Sequence, residues 1–412
     1  MPKPKPTPLY PTYAELESFS LVNYPDLKKA FYNQAAWLST HWEWGKSYLD
    51  YIGKNKSIHT YNRFRNEVER FLLWSFFVKK KPIDDYRKSD ILEYIDFCWK
   101  PPVSWIATSN NDRFILKDGF FKSNSAWRPF KIQAAKSQSN KAVDVKEYRP
   151  SQQSLTAIFT AIISFYKYLM DEEKCYGNPA QTAKKDCRHF ITDVHSKDVM
   201  RLTEEQWQYV LNSAIEMADQ DTKYERNLFI VSSLKTLFLR ISEISERENW
   251  TPIMSHFSED DSLNVWLKVF GKNKKLRKVS VPNDFLPFLE RYRLSRGLSP
   301  FPSTGDNKPL VEKIRGQGGM SSRHLTRLVQ ETFDFAYSKM KKAEGEKKAM
   351  KLKEASTHWL RHTGASMEIE RGRALKDLSE DLGHASMATT DTKYVHTEDK
   401  KRAESGSKRK VL

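Results

Sequence analysis

Six residues in the second half of the sequence are of types that bind oxyanions or move protons: Arg240, Lys272, His358, Arg361, His384 and Tyr394. Guanidinium groups hold such oxygens through forked, charge-assisted hydrogen bonds. Histidine and lysine exchange protons, and a side-chain oxygen can act as a nucleophile. Arg240 closes an apolar stretch, Leu237-Phe238-Leu239, and Glu243 follows three residues later. His358 and Arg361 are also three apart, so a helix would put both on one face. Leu382-Gly383-His384 precedes Tyr394. Each feature alone is commonly structural: an arginine caps a helix, a basic turn is solvated, a tyrosine packs. Their order within one segment gives them weight. His362 and His396 read as structural neighbours.

The elements that must hold these residues can be read from periodicity. Thr203-Glu204-Glu205-Gln206 has the form of a capping box and marks a domain start. Leu234, Leu237, Ile241 and Ile244 keep helical spacing, which predicts an amphipathic helix over 225–247. Val265, Leu267 and Val269 alternate with Trp266, Lys268 and Phe270. Alternation resumes at Val279 and Val281 beyond Gly271-Lys272-Asn273-Lys274-Lys275. This predicts a β-hairpin with a strongly basic tip. A glycine-marked loop at 316–319 precedes a helix over 321–343. Residues 342–354 read as a solvated lysine-rich face, and 356–400 as short helices.

Upstream, residues 1–12 read as a flexible Pro/Lys leader within an N-terminal extension, 1–56, with short aromatic-rich helices. Tyr61, Phe64, Val68 and Phe71 recur at helical steps. Arg63, Arg65 and Arg70 fall on other faces, predicting a helix with a basic exterior. A second helix is expected over 83–99 and another over 151–173. Between them, 100–149 breaks the pattern with Gly119, prolines and interleaved aromatic and basic residues, Arg128 among them. It reads as a long loop, either a surface insertion or a contact element. Asn178-Pro179-Ala180 closes the unit, and 181–200 reads as a linker.

Bulk composition bounds the function. The chain has 412 residues and a formal net charge of +17. Such a surplus favours a polyanionic partner through counterion release, with nucleic acid first and an anionic membrane second. No apolar run has spanning length. Three cysteines, Cys98, Cys175 and Cys187, without a CxxC pair argue against a disulfide framework or zinc site, and fit a reducing cytoplasm.

Taken together, "LRISEI" at 239–244, "GK" at 271–272 followed by "RKVSVP", "HWLRHTGAS" at 358–366, "LGHASMATT" at 382–390 and the final tyrosine resemble the catalytic domain of the tyrosine recombinases, the phage integrase family. The helices near 57–78 and 151–170 are similar to its core-binding domain. The resemblance implies a mainly α fold with a small β-hairpin or sheet: a helical core-binding domain over 57–180 with an insertion at 100–149, and a mixed α+β catalytic domain over 201–400. A basic tail follows at 401–412.

The resemblance also implies roles. Tyr394 attacks a DNA phosphate and forms a 3′-phosphotyrosine, conserving the bond energy. Arg240 and Arg361 bind the phosphate oxygens, so no metal or other cofactor is required. Lys272 is the general acid for the leaving 5′ oxygen, with Lys274 and Lys275 as competitors. His358 and His384 bond the phosphate or move its protons, and Glu243 orients its neighbours. Expected DNA contacts include Arg63, Arg65, Arg70, Arg128, Lys274 and Lys275. The expected partners are double-stranded DNA, a homotetramer on a four-way junction and accessory proteins, with integration or excision of a mobile element as the outcome. The alternatives are an inactive DNA-binding protein of this fold and a type IB topoisomerase or telomere-resolvase-like enzyme. Tyr394 lies ten residues after His384, one more than the family's usual step.

Overall fold

The chain divides into two units, residues 1–194 and 195–412. The structure, a computed structural model, describes residues 6–31, 35–132, 144–191, 200–248, 250–271, 275–384, 386–388, 390 and 406–407. Lys272, Lys274 and Tyr394 lie outside the described residues.

The first unit is helical. Helices α1 (Tyr13–Leu16), α2 (Pro25–Phe31), α3 (Ala36–Asn55), α4 (Ile58–Trp74) and α5 (Lys88–Trp99) precede an insertion. It holds strands β1 (Ile106–Ala107), β2 (Phe114–Lys117), β3 (Phe120–Ser123) and β4 (Phe130–Lys131); α6 (Gln152–Asp171) and α7 (Pro179–Lys185) follow. Ser57 and Ser151 cap α4 and α6 by accepting the amides of Thr60 and Ser154. Apolar stripes of α3, α4, α5 and α6 meet in one core around Trp42, Tyr48, Tyr61, Phe71, Tyr94 and Phe165.

Several expectations are corrected by this core. The described residues of 6–56 contribute to it rather than forming a separate extension: Leu9, Tyr10 and Leu16 are buried, and the Trp42 indole donates to the Leu9 carbonyl at 3.0 Å. The leader is held because its amides have a buried acceptor. Glu69 Oε1 takes the Leu9 and Tyr10 N–H groups at 2.7 and 3.2 Å. The described part of the insertion, 100–132 and 144–149, is likewise folded. Its Trp105, Trp127 and Phe130 are buried, and β2 and β3 form an antiparallel hairpin around Asp118-Gly119. Arg65 and Arg70 face inward rather than forming the basic exterior expected of this helix. Arg65 is buried against the Pro11 carbonyl at 2.5 Å, and Arg70 lies over the Phe130 ring at 4.3 Å while donating to Pro129. Arg63 is exposed and Arg128 half-buried. Over 83–99 the helix starts only at Lys88, after a 3₁₀ turn at Ile83–Asp85. The expected linker begins as helix α7, capped by Asn178.

The second unit starts where Thr203 predicts. Thr203 Oγ1 accepts the Gln206 amide at 3.2 Å, and Gln206 Oε1 accepts the Thr203 amide at 3.0 Å. Helices α8 (Glu204–Gln220) and α9 (Glu225–Thr236) lead to an antiparallel sheet of β5 (Phe257–Glu259), β6 (Val265–Phe270) and β7 (Leu276–Ser280) in that order. The expected hairpin is β6–β7, with Leu267 opposite Val279 and Phe270 opposite Leu276. Helices α10 (Leu286–Leu294), α11 (Ser322–Glu344), α12 (Glu346–Glu354), α13 (Thr357–Glu370) and α14 (Leu375–Leu382) complete the unit. The lysines of α12 are exposed or half-buried, while Ala349 and Leu352 are buried. The expected helix over 225–247 ends at Thr236, because Phe238 takes a left-handed backbone, φ +50. That conformation costs a non-glycine residue about 1–2 kcal/mol and cannot continue a right-handed helix.

Candidate active site

The break after α9 is what delivers Arg240. Beyond Phe238 the chain is extended at Arg240, then closes a 3₁₀ turn over Ile241–Glu243. Glu243 Oε2 accepts the Arg240 amide at 2.8 Å, and Glu243 Oε1 accepts Arg240 Nη1 at 3.0 Å. One carboxylate therefore fixes both the backbone and the head of Arg240. The side chain remains a quarter exposed, and among the described residues its other guanidinium nitrogens make no hydrogen bond.

Glu243 is 1% exposed and needs further compensation. Arg277 of β7 supplies it with two parallel hydrogen bonds, 2.6 and 2.9 Å. Burial alone would raise the Glu243 carboxyl. The Arg277 hydrogen bonds and charge, the Arg240 amide and the Arg361 charge outweigh it and hold Glu243 below the usual carboxylate range.

Arg361 arrives from α13, which approaches α9 closely because position 364 is glycine. A Cβ there would stand 1.9 Å from the Lys235 carbonyl oxygen. Arg361 is 2% exposed. Its Nη1 donates to the Phe238 carbonyl, and its Nη2 donates to the Leu382 carbonyl at 2.5 Å. The left-handed turn at Phe238 thus presents its carbonyl to one arginine two residues before delivering the other. His358 sits one turn earlier on α13, its ring 5.2 Å from that of His362.

His384 is positioned by the end of α14. Gly383 adopts φ +62 and the His384 amide returns to the Ser379 carbonyl at 3.1 Å, a left-handed helix stop. His384 Nδ1 pairs with Thr390 Oγ1 at 2.8 Å. Asp381 ties the same corner to the sheet by accepting the Ser280 amide at 3.0 Å and its hydroxyl at 2.5 Å, with Arg373 as a third donor. Arg277 Nε donates to the Asp381 carbonyl at 2.9 Å. A Cβ on Gly383 would meet Arg277 Cδ at 2.8 Å, and one on Gly271 would meet Arg277 Nη1 at 3.2 Å.

Four of the expected residues, Arg240, Glu243, Arg361 and His384, are therefore assembled by the described chain. Lys275 is exposed, and its carbonyl accepts the Gly271 amide at 2.8 Å; a Cβ on Gly271 would meet Arg277, so the described end of β6 lies beside that arginine. Arg277, Asp381, Ser280 and Arg373 were not anticipated. Arg277 had a readable signal. It shares a strand face with Val279 and Val281, and a cation at an inward strand position requires a partner. Three guanidiniums around one carboxylate leave the site strongly positive, suited to an oxyanion with diffuse charge. Among the described residues no group of His, Cys, Asp or Glu could hold a metal ion.

Residues 200–401 match the model of the phage integrase family, a segment that contains every element just described. This domain belongs to the phage integrase family. The domain is that of a tyrosine recombinase, a DNA strand-transfer enzyme. The chain is 24% identical over 260 residues to tyrosine recombinase XerC of Chlorobaculum parvum, covering 59% of this chain and 68% of that protein. It is 26% identical over 256 residues to XerD of Oceanobacillus iheyensis, covering 61% and 74%. The fold is shared with the XerH site-specific recombinase bound to palindromic difH substrate in a post-cleavage complex. That likeness has TM-score 0.54 and 15% identity, and covers 96% of this chain and 93% of that one. Fold class and family thus agree with the resemblance carried by the motifs of the integrase domain. Among the described residues, no helix is long and apolar enough to cross a membrane.

Proposed function

We propose that this chain is a site-specific recombinase that cuts and rejoins duplex DNA through Tyr394. The observation that carries the reading is the convergence of Arg240 and Arg361. The guanidinium of Arg361 is bound to the carbonyl of Phe238, two residues before Arg240. Arginines 121 positions apart in sequence thereby meet at one carboxylate-anchored site.

In the proposed reaction, the Tyr394 oxygen attacks the scissile phosphorus and the 5′ oxygen leaves. The phosphotyrosine keeps the bond energy for religation by an incoming 5′ hydroxyl. Arg240 and Arg361 stabilise the negative charge that builds on the non-bridging oxygens, each worth several kcal/mol when preorganised. Lys272, which follows Gly271 in the sequence, protonates the leaving 5′ oxygen. His358 and His384 bond the phosphate and manage the phenol proton. Strand exchange proceeds through a four-way junction held by a homotetramer, and serves integration or excision of a mobile element.

A nicked suicide substrate carrying the cognate site, incubated with the full chain in chelator, tests this. The expected result is a covalent protein–DNA adduct that Tyr394→Phe abolishes while DNA binding persists. An adduct that survives Tyr394→Phe assigns the nucleophile elsewhere. Absence of any adduct at saturating protein supports the binding-protein alternative. A 5′-bridging sulfur, which leaves without protonation, is expected to rescue Lys272→Ala; failure to rescue moves the acid to Lys274 or Lys275.

A further inference from the structure

We propose that Lys235 is an acylation site, modified by acyl phosphates that enter a cavity of the second unit. The inference goes beyond the recombinase reading and does not depend on the chemistry of Tyr394.

The cavity, of about 330 Å³, lies between α8, α9, α10 and α13. Trp207, Phe238 and Phe288 give it apolar walls, and Lys235 and Arg371 line it as cations. Lys235 comes from the last turn of α9 and is half-buried. Its Nζ stands over the Trp207 ring, 5.3 Å from the centroid, and among the described residues it makes no hydrogen bond or ion pair. Burial, and then the Arg371 charge, hold this ammonium below the ordinary lysine value. Glu368 of α13, Glu204 at the start of α8 and Asp284 beyond β7 oppose that change without reversing it. The amine is therefore neutral in a larger fraction of molecules than a solvated lysine.

A desolvated amine beside another cation is an activated nucleophile. Its surroundings select the electrophile. Arg373 is committed to Ser280 and Asp381. Arg371 is exposed, and among the described residues its side chain gives one nitrogen to Glu368 at 3.1 Å and keeps the rest of its fork for a ligand. Such a guanidinium binds a phosphate dianion through charge-assisted hydrogen bonds, while the apolar walls receive a short acyl chain. An acyl phosphate joins those two parts at one carbonyl carbon. Lys235 Nζ attacks that carbon and the N–C bond forms. The C–O bond to phosphate breaks, and the phosphate leaves with the electron pair and takes up the amine proton. The product is a neutral amide. The Lys235 carbonyl lies against Gly364 of α13, so acylation removes a charge beside the helix that carries Arg361.

The test exposes the full chain to acetyl phosphate at pH 7 and follows each lysine by peptide mass spectrometry. The exposed Lys347 and Lys351 of α12 serve as internal references. Lys235 is expected to be acetylated roughly fivefold or more faster than either, as befits a desolvated amine. Inorganic phosphate is expected to slow Lys235 and leave the references unchanged. Arg371→Gln, whose side chain is exposed and whose folding an unchanged thermal melt verifies, is expected to bring Lys235 down toward the reference rate. Lys235 reacting no faster than the references overturns the proposal. So does an equal preference for Lys235 with the N-hydroxysuccinimide ester of acetate, combined with indifference to inorganic phosphate; that pattern describes a reactive amine without a phosphate site. No DNA enters the measurement, so its failure is distinguishable from failure of the recombinase reading.

Discussion

Arg277 and Glu243 form a two-pronged ion pair, 2.6 and 2.9 Å, in which the carboxylate is 1% and the guanidinium 11% exposed. The third nitrogen of the same guanidinium bonds the Asp381 carbonyl, so one side chain joins the turn of Arg240, the hairpin and the corner of His384. Removing one member of a buried pair leaves the other charged and unsolvated, at a cost of about 3–5 kcal/mol. Arg277→Met is therefore expected to lower the chemical-denaturation midpoint and to cut adduct formation by roughly 100-fold or more, the scale of losing a preorganised group. Arg277→Lys keeps the charge but not the fork, and is expected to recover stability more than rate. Equal recovery of both would make the residue a structural counter-ion only.

Gly383→Ala tests the helix stop. The position has φ +62, and the added methyl would fall 2.8 Å from Arg277 Cδ. The left-handed backbone alone costs about 1 kcal/mol or more for alanine. Rate of cleavage is expected to fall further than stability, because His384 and Arg277 both shift. A variant with wild-type cleavage and a lowered melting temperature would separate the corner from the site.

Gly364→Ala tests the approach of α13 to α9. A Cβ 1.9 Å from the Lys235 carbonyl oxygen cannot be accommodated without separating the helices. Overpacking of this kind costs about 1–3 kcal/mol or more. The expected outcome is a less stable domain in which Arg361 no longer reaches the Phe238 carbonyl, read as loss of adduct with retained binding by the first unit. An unchanged melt would show that the interface gives way freely.

Asp90 provides a pH signature of the first unit. Burial opposes its charge, but the Arg87 amide, Lys81 and Lys79 overcome this and hold the carboxyl down to about 2. A lowered folded value means that the stabilisation is complete above the ordinary carboxylate value and is lost as pH falls from there through about 2. Asp90→Asn is expected to be less stable than the natural chain at pH 6, with the gap narrowing toward pH 2. A gap independent of pH in urea melts would assign the loss to packing.

Most of the catalytic domain was legible because its signals are local. The Thr203 capping box, the alternation of 265–270 and 276–281 and the glycine before the hairpin tip each act within a few residues. The break after Thr236 was not, since Leu237, Ile241 and Ile244 keep helical spacing across it and nothing in the sequence marks Phe238 as left-handed. Arg361 compensates that strain from 123 residues away. Arg65 was misread for the same reason: its partner, the Pro11 carbonyl, comes from a segment whose prolines and lysines look solvated. Tyr394 and Lys272 remain assignments from motif, outside the described residues.

The seating of Leu9 and Tyr10 on Glu69 bears on how the first unit is made. The strap reaches its acceptor only after about 60 further residues have been added, and Trp42 must already be in place to close on the Leu9 carbonyl. At ordinary rates of synthesis that delay lasts seconds. The earliest-made part of this core thus waits for α4 before it is fastened, and a nascent chain carries its aromatic strap unprotected until that helix emerges.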